Sequence, residues 1–313
     1  MALRFFGSIR YTVKIVLMTF LGLVVPAGNV LCLDVAVLVS SGIIPYTACV
    51  EGIRESLQEY VLYVATMDQD LERGKKLLKD IAEKKPRLII AVGPQAAYLL
   101  GRNYAQYMRL FCMVLNPERL LGKEGLYPGV SLNINPSFQI DTIKKAFPQR
   151  TTIGVFYSAR FNQPIIDELS GAAARNNAKI VPFTLNSPND ISRVIESEAF
   201  SIDVLLLIPD DQLRSTKIVE YIVHEALIRK IPVVGYNTWF SKNGALLSFV
   251  VDYQGVGRQT GAQAAELLKG TQQEAGIVAS PEAIKVTVDL KTAGKLGVPI
   301  APAFIQQADE VLE

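Results

Sequence analysis

What most constrains this chain is a rhythm. Short apolar runs that end in turn residues alternate with stretches of helical periodicity, and the pattern is gone through twice. The apolar runs are LDVAVLVS, YVLYVAT, RLIIAVG, LFCMVLN and GVSLNI, then TTIGVFYS, KIVPFTL, DVLLLIP, IPVVGY, ALLSFV and AIKVTVD. Several lack polar alternation, which suits strands covered on both faces. Between them, DLERGKKLLKDIAEKK places Leu71, Leu77, Leu78 and Ile81 on one stripe with charges elsewhere. ACVEGIRESLQE, NPSFQIDTIKKAF, Ser215–Lys230 and Gly255–Gly270 read as helices too. So do the segment opened by Gln163-Pro164, with the proline in a first turn, and the one opened by Ser187-Pro188-Asn189-Asp190.

Strand–helix alternation of this kind means parallel sheets with helices on both faces. The strands are too many for one such unit, and the rhythm restarts near residue 150. The expected fold class is therefore α/β, with two doubly wound lobes of similar size. No repeat of solenoid length is present.

The N-terminus departs from the rhythm. Residues 1–14 carry Arg4, Arg10 and Lys14 and no acid, and an apolar run, Ile15–Val25, follows before Pro26, Gly28 and Asn29. A basic start, a short apolar run and a Pro/Gly break mark a secretory signal peptide over residues 1–31. The run is about half the ~20 residues that a membrane span needs. Export to the periplasm or another extracytoplasmic compartment is expected. Cys32 stands where a lipoprotein would be cut and acylated, although Leu31 is larger than the usual preceding residue; the alternative is that Cys32 begins the first strand.

Composition removes several classes. Net charge is +2, with three of the basic groups in the leader, so there is no nucleic-acid footprint. One histidine and three cysteines argue against His-ligated metal sites, a disulfide framework and Ser-His or Cys-His catalysis. His224 sits in a helical run with Ile222, Val223 and Leu227 and reads as a structural or solvent-facing residue, not a catalytic one. Cys49, on a helix, and Cys112, in an apolar strand, would meet an oxidising compartment, yet both read as core residues.

In doubly wound sheets ligands bind beyond the carboxyl ends of the strands. That rule selects Ser40, Ser41, Gly93, Pro94, Gln95, Asn116, Tyr157, Arg160, Asn162, Asp211, Tyr236, Asn237 and Tyr253. Val92-Gly93-Pro94 is a turn and not a phosphate loop, and Gly255-x-Gly257 lacks the third glycine of a dinucleotide site. Asp210-Asp211 has no further acidic cluster to make a metal site, and one of the pair is expected to cap the next helix. No cofactor and no metal are expected.

With an export signal and two α/β lobes, the stretch from Asp252-Tyr253-Gln254-Gly255-Val256-Gly257-Arg258-Gln259-Thr260-Gly261 to Gly270 resembles the solute-binding components of ABC transporters. More closely it resembles their tryptophan/tyrosine-type substrate-binding proteins, of the periplasmic-binding-protein type I fold. Ile153-Gly154-Val155-Phe156-Tyr157, Ile231–Gly235 and Leu290–Gly297 extend the resemblance to about residues 34–312. It implies lobes of 32–133 plus 252–280 and 134–251 plus 281–313. The crossovers fall near 133–136, 248–252 and 277–283. It also implies a ligand set that includes Asn162, Asp211 and Tyr253, a small-molecule solute, a membrane permease as partner, and no nucleic acid. The protein is expected to be a monomer.

Three departures bear on the ligand. Gly93 stands where many relatives carry a hydroxyl residue, Ile44 replaces a polar residue before the matching Pro45, and Ala159-Arg160-Phe161 replaces an acidic segment before Asn162. Two polar contacts are lost and a cation, Arg160, is gained, which speaks against an aromatic amino acid and leaves an anionic or more apolar ligand open within the expected class, a small solute such as an amino acid or related compound. The alternatives to a binding protein are a ligand-sensing ectodomain or an enzyme on the same fold. Against an enzyme, Asp211 and Asp252 have no accompanying nucleophile.

Overall fold

The computed structural model describes residues 33–197, 200–271 and 278–313. The expectations for the leader, residues 1–31, and for Cys32 lie outside the described residues. The chain runs β1 (Val35–Val39), α1 (Ile44–Ser56), β2 (Leu62–Thr66), α2 (Leu71–Glu83), β3 (Leu88–Val92), α3 (Pro94–Asn103), β4 (Met108–Val114), α4 (Pro117–Leu121) and β5 (Gly129–Ser131). It continues with α5 (Pro136–Ala146), β6 (Thr152–Tyr157), α6 (Ala159–Arg175), β7 (Lys179–Thr184), α7 (Asp190–Glu196), β8 (Val204–Leu206), a 3-10 turn at Asp211–Leu213 and α8 (Thr216–Ile228). The remainder is β9 (Val233–Gly235), α9 (Thr238–Lys242), β10 (Leu247–Val251), α10 (Tyr253–Lys269), β11 (Val278–Ala279), β12 (Ile284–Asp289), α11 (Leu290–Leu296), α12 (Pro302–Ile305) and β13 (Glu310–Leu312).

Two sheets result, ordered β11-β5-β4-β3-β1-β2 and β13-β12-β10-β9-β8-β6-β7. The first is parallel throughout. In the second, β12 pairs antiparallel with β10 and then parallel with β13. Each sheet reverses its strand order once, at β1/β3 and at β6/β8, and such reversals open a crevice at the strand ends.

The apolar runs became strands because both of their faces are covered. Val35, Val37 and Val39 of β1 join the core shared with α1 and α10, while Ala36 and Leu38 join the core on the opposite face. At the outer edge of the second sheet, β7 is largely uncovered and carries Pro182, whose missing N–H costs no ladder bond there. Two expected helix starts fall late. α1 starts at Ile44, a turn before Ala48. α6 starts at Ala159, a turn before Gln163, so Pro164 lies inside the helix and not in its first turn.

Gly255, Gly257 and Gly261 of the Asp252–Gly270 stretch have a packing role. A Cβ on Gly257 would lie 1.9 Å from the Cys49 carbonyl oxygen of α1, and one on Gly52 would lie 2.0 Å from that of Gln254. These two helices therefore meet backbone to backbone. Asp252 caps α10 by accepting from the Gln254 N–H at 3.1 Å.

The chain passes between the sheets three times: from β5 to α5, from β10 to α10, and from β11 to β12. α10 thus packs on the first lobe although the strand before it belongs to the second sheet.

Candidate functional site

At each reversal of strand order, a serine ties two strand-end loops together. After β1, the Ser40 hydroxyl accepts the Ala96 N–H of α3 at 3.0 Å. After β6, Ser158 donates its N–H to Asp210 Oδ2 at 2.7 Å and its hydroxyl to Oδ1. Asp210 also accepts from the Gln212 N–H at 2.9 Å and from Asn162 Nδ2 at 2.7 Å. Asp210, then, is the capping member of the acidic pair.

Between the two sets of strand ends lies a cleft of about 620 Å³. Asn116, Arg160, Tyr236, Asn237 and Tyr253 line it, as do Arg119, Lys123, Asn133, Gln139, Phe161 and Glu168. Burial raises the phenol pKa of Tyr236, with Asp210 adding to the effect, and burial alone raises that of Tyr253. Both hydroxyls are therefore available as donors at neutral pH. Asn116 is held at a left-handed φ of 46°, its N–H donating to Asn133 Oδ1 at 3.0 Å. That backbone leads straight into α4, so Arg119 projects one turn further on.

Two side chains of the first lobe, Asn116 and Arg119, reach the second lobe across the cleft. Asn116 Nδ2 donates to Asn162 Oδ1 at 3.3 Å. Arg119 lies 3.6 Å over the Phe161 ring and pairs with Asp211 Oδ2. Arg214 holds the other oxygen of Asp211 at 2.6 Å. The two guanidiniums, Arg119 first, keep the Asp211 carboxyl below the usual carboxylate range. A smaller adjoining cavity contains Asp211 together with Asn116, Arg119 and Tyr236.

The remaining expected residues line neither cavity. Ser40 and Ser41 are buried, Ser40 beneath the start of α3. Gly93 has φ of 90° and fits against Ser40 and Tyr46, where a Cβ would come within 2.8 Å of both; Pro94 and Gln95 open α3 behind it. Tyr157 turns into the second-lobe core, and its hydroxyl donates to Gln163 and accepts from Thr184. Asn162 is 1% exposed and sits behind the cleft wall, held by Asp210 and the Pro209 carbonyl. Strand ends do point at the crevice, but alternation along the chain and the docking of the next helix decide which side chains reach it.

Sequence reasoning missed Arg119, and it placed Phe161 in a strand-end loop without naming it as a site residue. The one available signal for Arg119 was position: it lies in the first turn of the helix that the named Asn116 opens. The lone histidine, His224, is exposed on α8. Among the described residues, no cluster of three His, Cys, Asp or Glu side chains could hold a metal ion. None of their helices is long and apolar enough to cross a membrane.

Two α/β lobes that face one another across a cleft define the two-lobe periplasmic-binding-protein fold. A family model described as ABC transporter substrate binding protein matches residues 34–312, and the chain belongs to that family. A curated relative, the tyrosine-binding protein of Clostridioides difficile, is 29% identical over 150 residues. The match takes in 47% of this chain and 42% of the relative, so the chain spans less than half of that relative's length.

Solved structures support the fold. An ABC domain from Streptococcus pneumonia in complex with L-Trp is 22% identical, with a TM-score of 0.59 over 89% of this chain and 100% of that one. A ligand-free, open substrate-binding protein with adhesive properties from Clostridium difficile is 20% identical, with a TM-score of 0.71 over 90% and 99%.

Proposed function

We propose that the protein captures a small solute between lobes 32–133 plus 252–280 and 134–251 plus 281–313, and presents it to the permease of an ABC importer. The observation that carries this reading is the cleft, built from the strand-end loops of both sheets and large enough for a small organic molecule. Solute-binding proteins of this family work outside the cytoplasm. Residues 1–31 would serve as the export signal, with Cys32 as the candidate acylation site.

The solute is an amino acid or a related compound. Asn116, Tyr236, Asn237 and Tyr253 supply neutral donors and acceptors, and Arg160 offers a cation to a carboxylate. An ammonium would find both oxygens of Asp211 already engaged by arginines. We therefore assign Asp211 to closure of the cleft and not to direct recognition of an ammonium.

Denaturing purified protein and identifying the released small molecules by mass spectrometry tests the proposal. The identified solute, titrated by calorimetry, should bind at one equivalent and be recovered unchanged. Turnover of the solute would mean an enzyme, and a protein that neither carries nor binds any small molecule would refute solute capture.

A further inference from the structure

Cys49 on α1 and Cys112 on β4 stand 63 positions apart in the chain, yet their sulfur atoms lie 3.4 Å apart. Both side chains have no solvent exposure. A disulfide bond is about 2.05 Å long, so the sulfurs need to approach by only a little over an ångström, within reach of small side-chain rotations. The backbone beside Cys112 is already irregular: the pairing of β4 with β5 shifts register between Cys112 and Val114, and Met113 has φ of 60°. In an extracytoplasmic compartment, such as the one where this family works, disulfides persist.

We propose that Cys49 and Cys112 are a covalent modification site, oxidised to a disulfide that fastens α1 to β4. The oxidant is a disulfide donor. One cysteine thiolate attacks it and expels the first donor thiol; the second cysteine attacks the mixed disulfide and expels the other. Two electrons pass to the donor, which leaves as two thiols that carry the two cysteine protons.

In the folded lobe the hydrogen bond to Cys112, burial and the neighbouring sulfur all raise the Cys49 pKa, so thiolate is scarce. Exchange therefore takes place before α1 docks. The bond would close a loop holding β2, α2, β3 and α3, and would secure the helix that α10 grips through Gly52 and Gly257.

The test uses protein purified without reductant from cells that export it. A second sample is reduced, unfolded in guanidinium and refolded with oxidised glutathione. Each is denatured with iodoacetamide, digested and analysed by mass spectrometry. The expected result is a peptide pair linked through Cys49 and Cys112. The Tm of the linked form should exceed that of the reduced form by roughly 5–10 °C. The difference should vanish in Cys49→Ala. Alkylation of both cysteines in both samples would overturn the proposal. Pairing of either with Cys32, or a stable glutathione adduct in place of the internal bond, would overturn it too.

Discussion

Asp210 and Asp211 are neighbours with opposite jobs. Asp210 collects donors from Ser158, Asn162 and Gln212 and holds two strand-end loops of the second lobe together. Asp210→Asn puts an amide N–H₂ against those donors. Hydrogen bonds to charged groups contribute about 1.5–3 kcal/mol, so a loss of about 2 kcal/mol is expected in urea unfolding. Asp211 instead faces Arg119 and Arg214, and these pairs are partly solvent-exposed, with Arg119 at 40%.

Pairs of that kind contribute about 0.2–1 kcal/mol, so Asp211→Asn should weaken solute binding at most about fivefold, by making closure less favourable. A loss of tenfold or more in calorimetric titration would return Asp211 to direct solute contact. Because its folded-state pKa is lowered, this contribution is fully present above the ordinary aspartate value of about 3.9 and is lost as pH falls through the lower folded value. The Arg119–Asp211 contact should thus be constant between about pH 5 and 8. Comparing affinity of wild type and Asp211→Asn across that range checks it: the ratio should stay flat.

At the scale of elements, the interface between α1 and α10 is the most demanding. Adding a methyl at Gly257 forces a Cβ to within 1.9 Å of backbone that cannot yield without moving a whole helix. Gly257→Ala should destabilise the protein by about 1–3 kcal/mol or more, measured by thermal or urea melting. Gly294, on α11, has nothing within 4 Å of the corresponding position. Gly294→Ala is the control and should be neutral or slightly stabilising, since alanine favours helix.

The same interface explains why the most specific stretch of sequence, Asp252–Gly270, contributes only Tyr253 to the cleft wall. Gly257 and Gly261 are selected by the approach of the two helices, Gly255 makes room for Ala283, and Gly270 ends α10 at a left-handed φ of 70°. Periodicity made the buried strands and the helices α1, α2, α5, α6, α7, α8 and α10 legible beforehand, whereas the five-residue α4 and α9 and the four-residue α12 are too short to show a period. β11 and β13, of two and three residues, were not legible, because so short a segment has no period; nor was the antiparallel turn of β12, which depends on where the last crossover delivers the chain.

For the whole molecule, the contacts between lobes define a balance. Asn116–Asn162 and Arg119 with Phe161 and Asp211 join loops of the two lobes. Arg119→Ala removes both the ion pair and the stacked cation, so the ligand-free protein should shift toward an open form. Small-angle scattering should read this as a larger radius of gyration, and saturating solute should restore the compact value. An identical profile for wild type and Arg119→Ala without solute would mean that Arg119 does not hold the lobes.

The alternation of apolar runs and amphipathic stretches was sufficient, without any structure, for two doubly wound lobes and a short list of strand-end loops. Hydrophobic period is a local property, written in consecutive residues. It could not say which of those loops' side chains reach the cleft: Tyr236 and Asn237 do, whereas Ser40 and Tyr157 turn inward. Nor could it pair Arg119 with Asp211 across 92 positions, or bring Cys49 to Cys112 across 63. Those meetings belong to tertiary structure alone, because they arise only when helices dock and the crossovers set one lobe's loops against the other's.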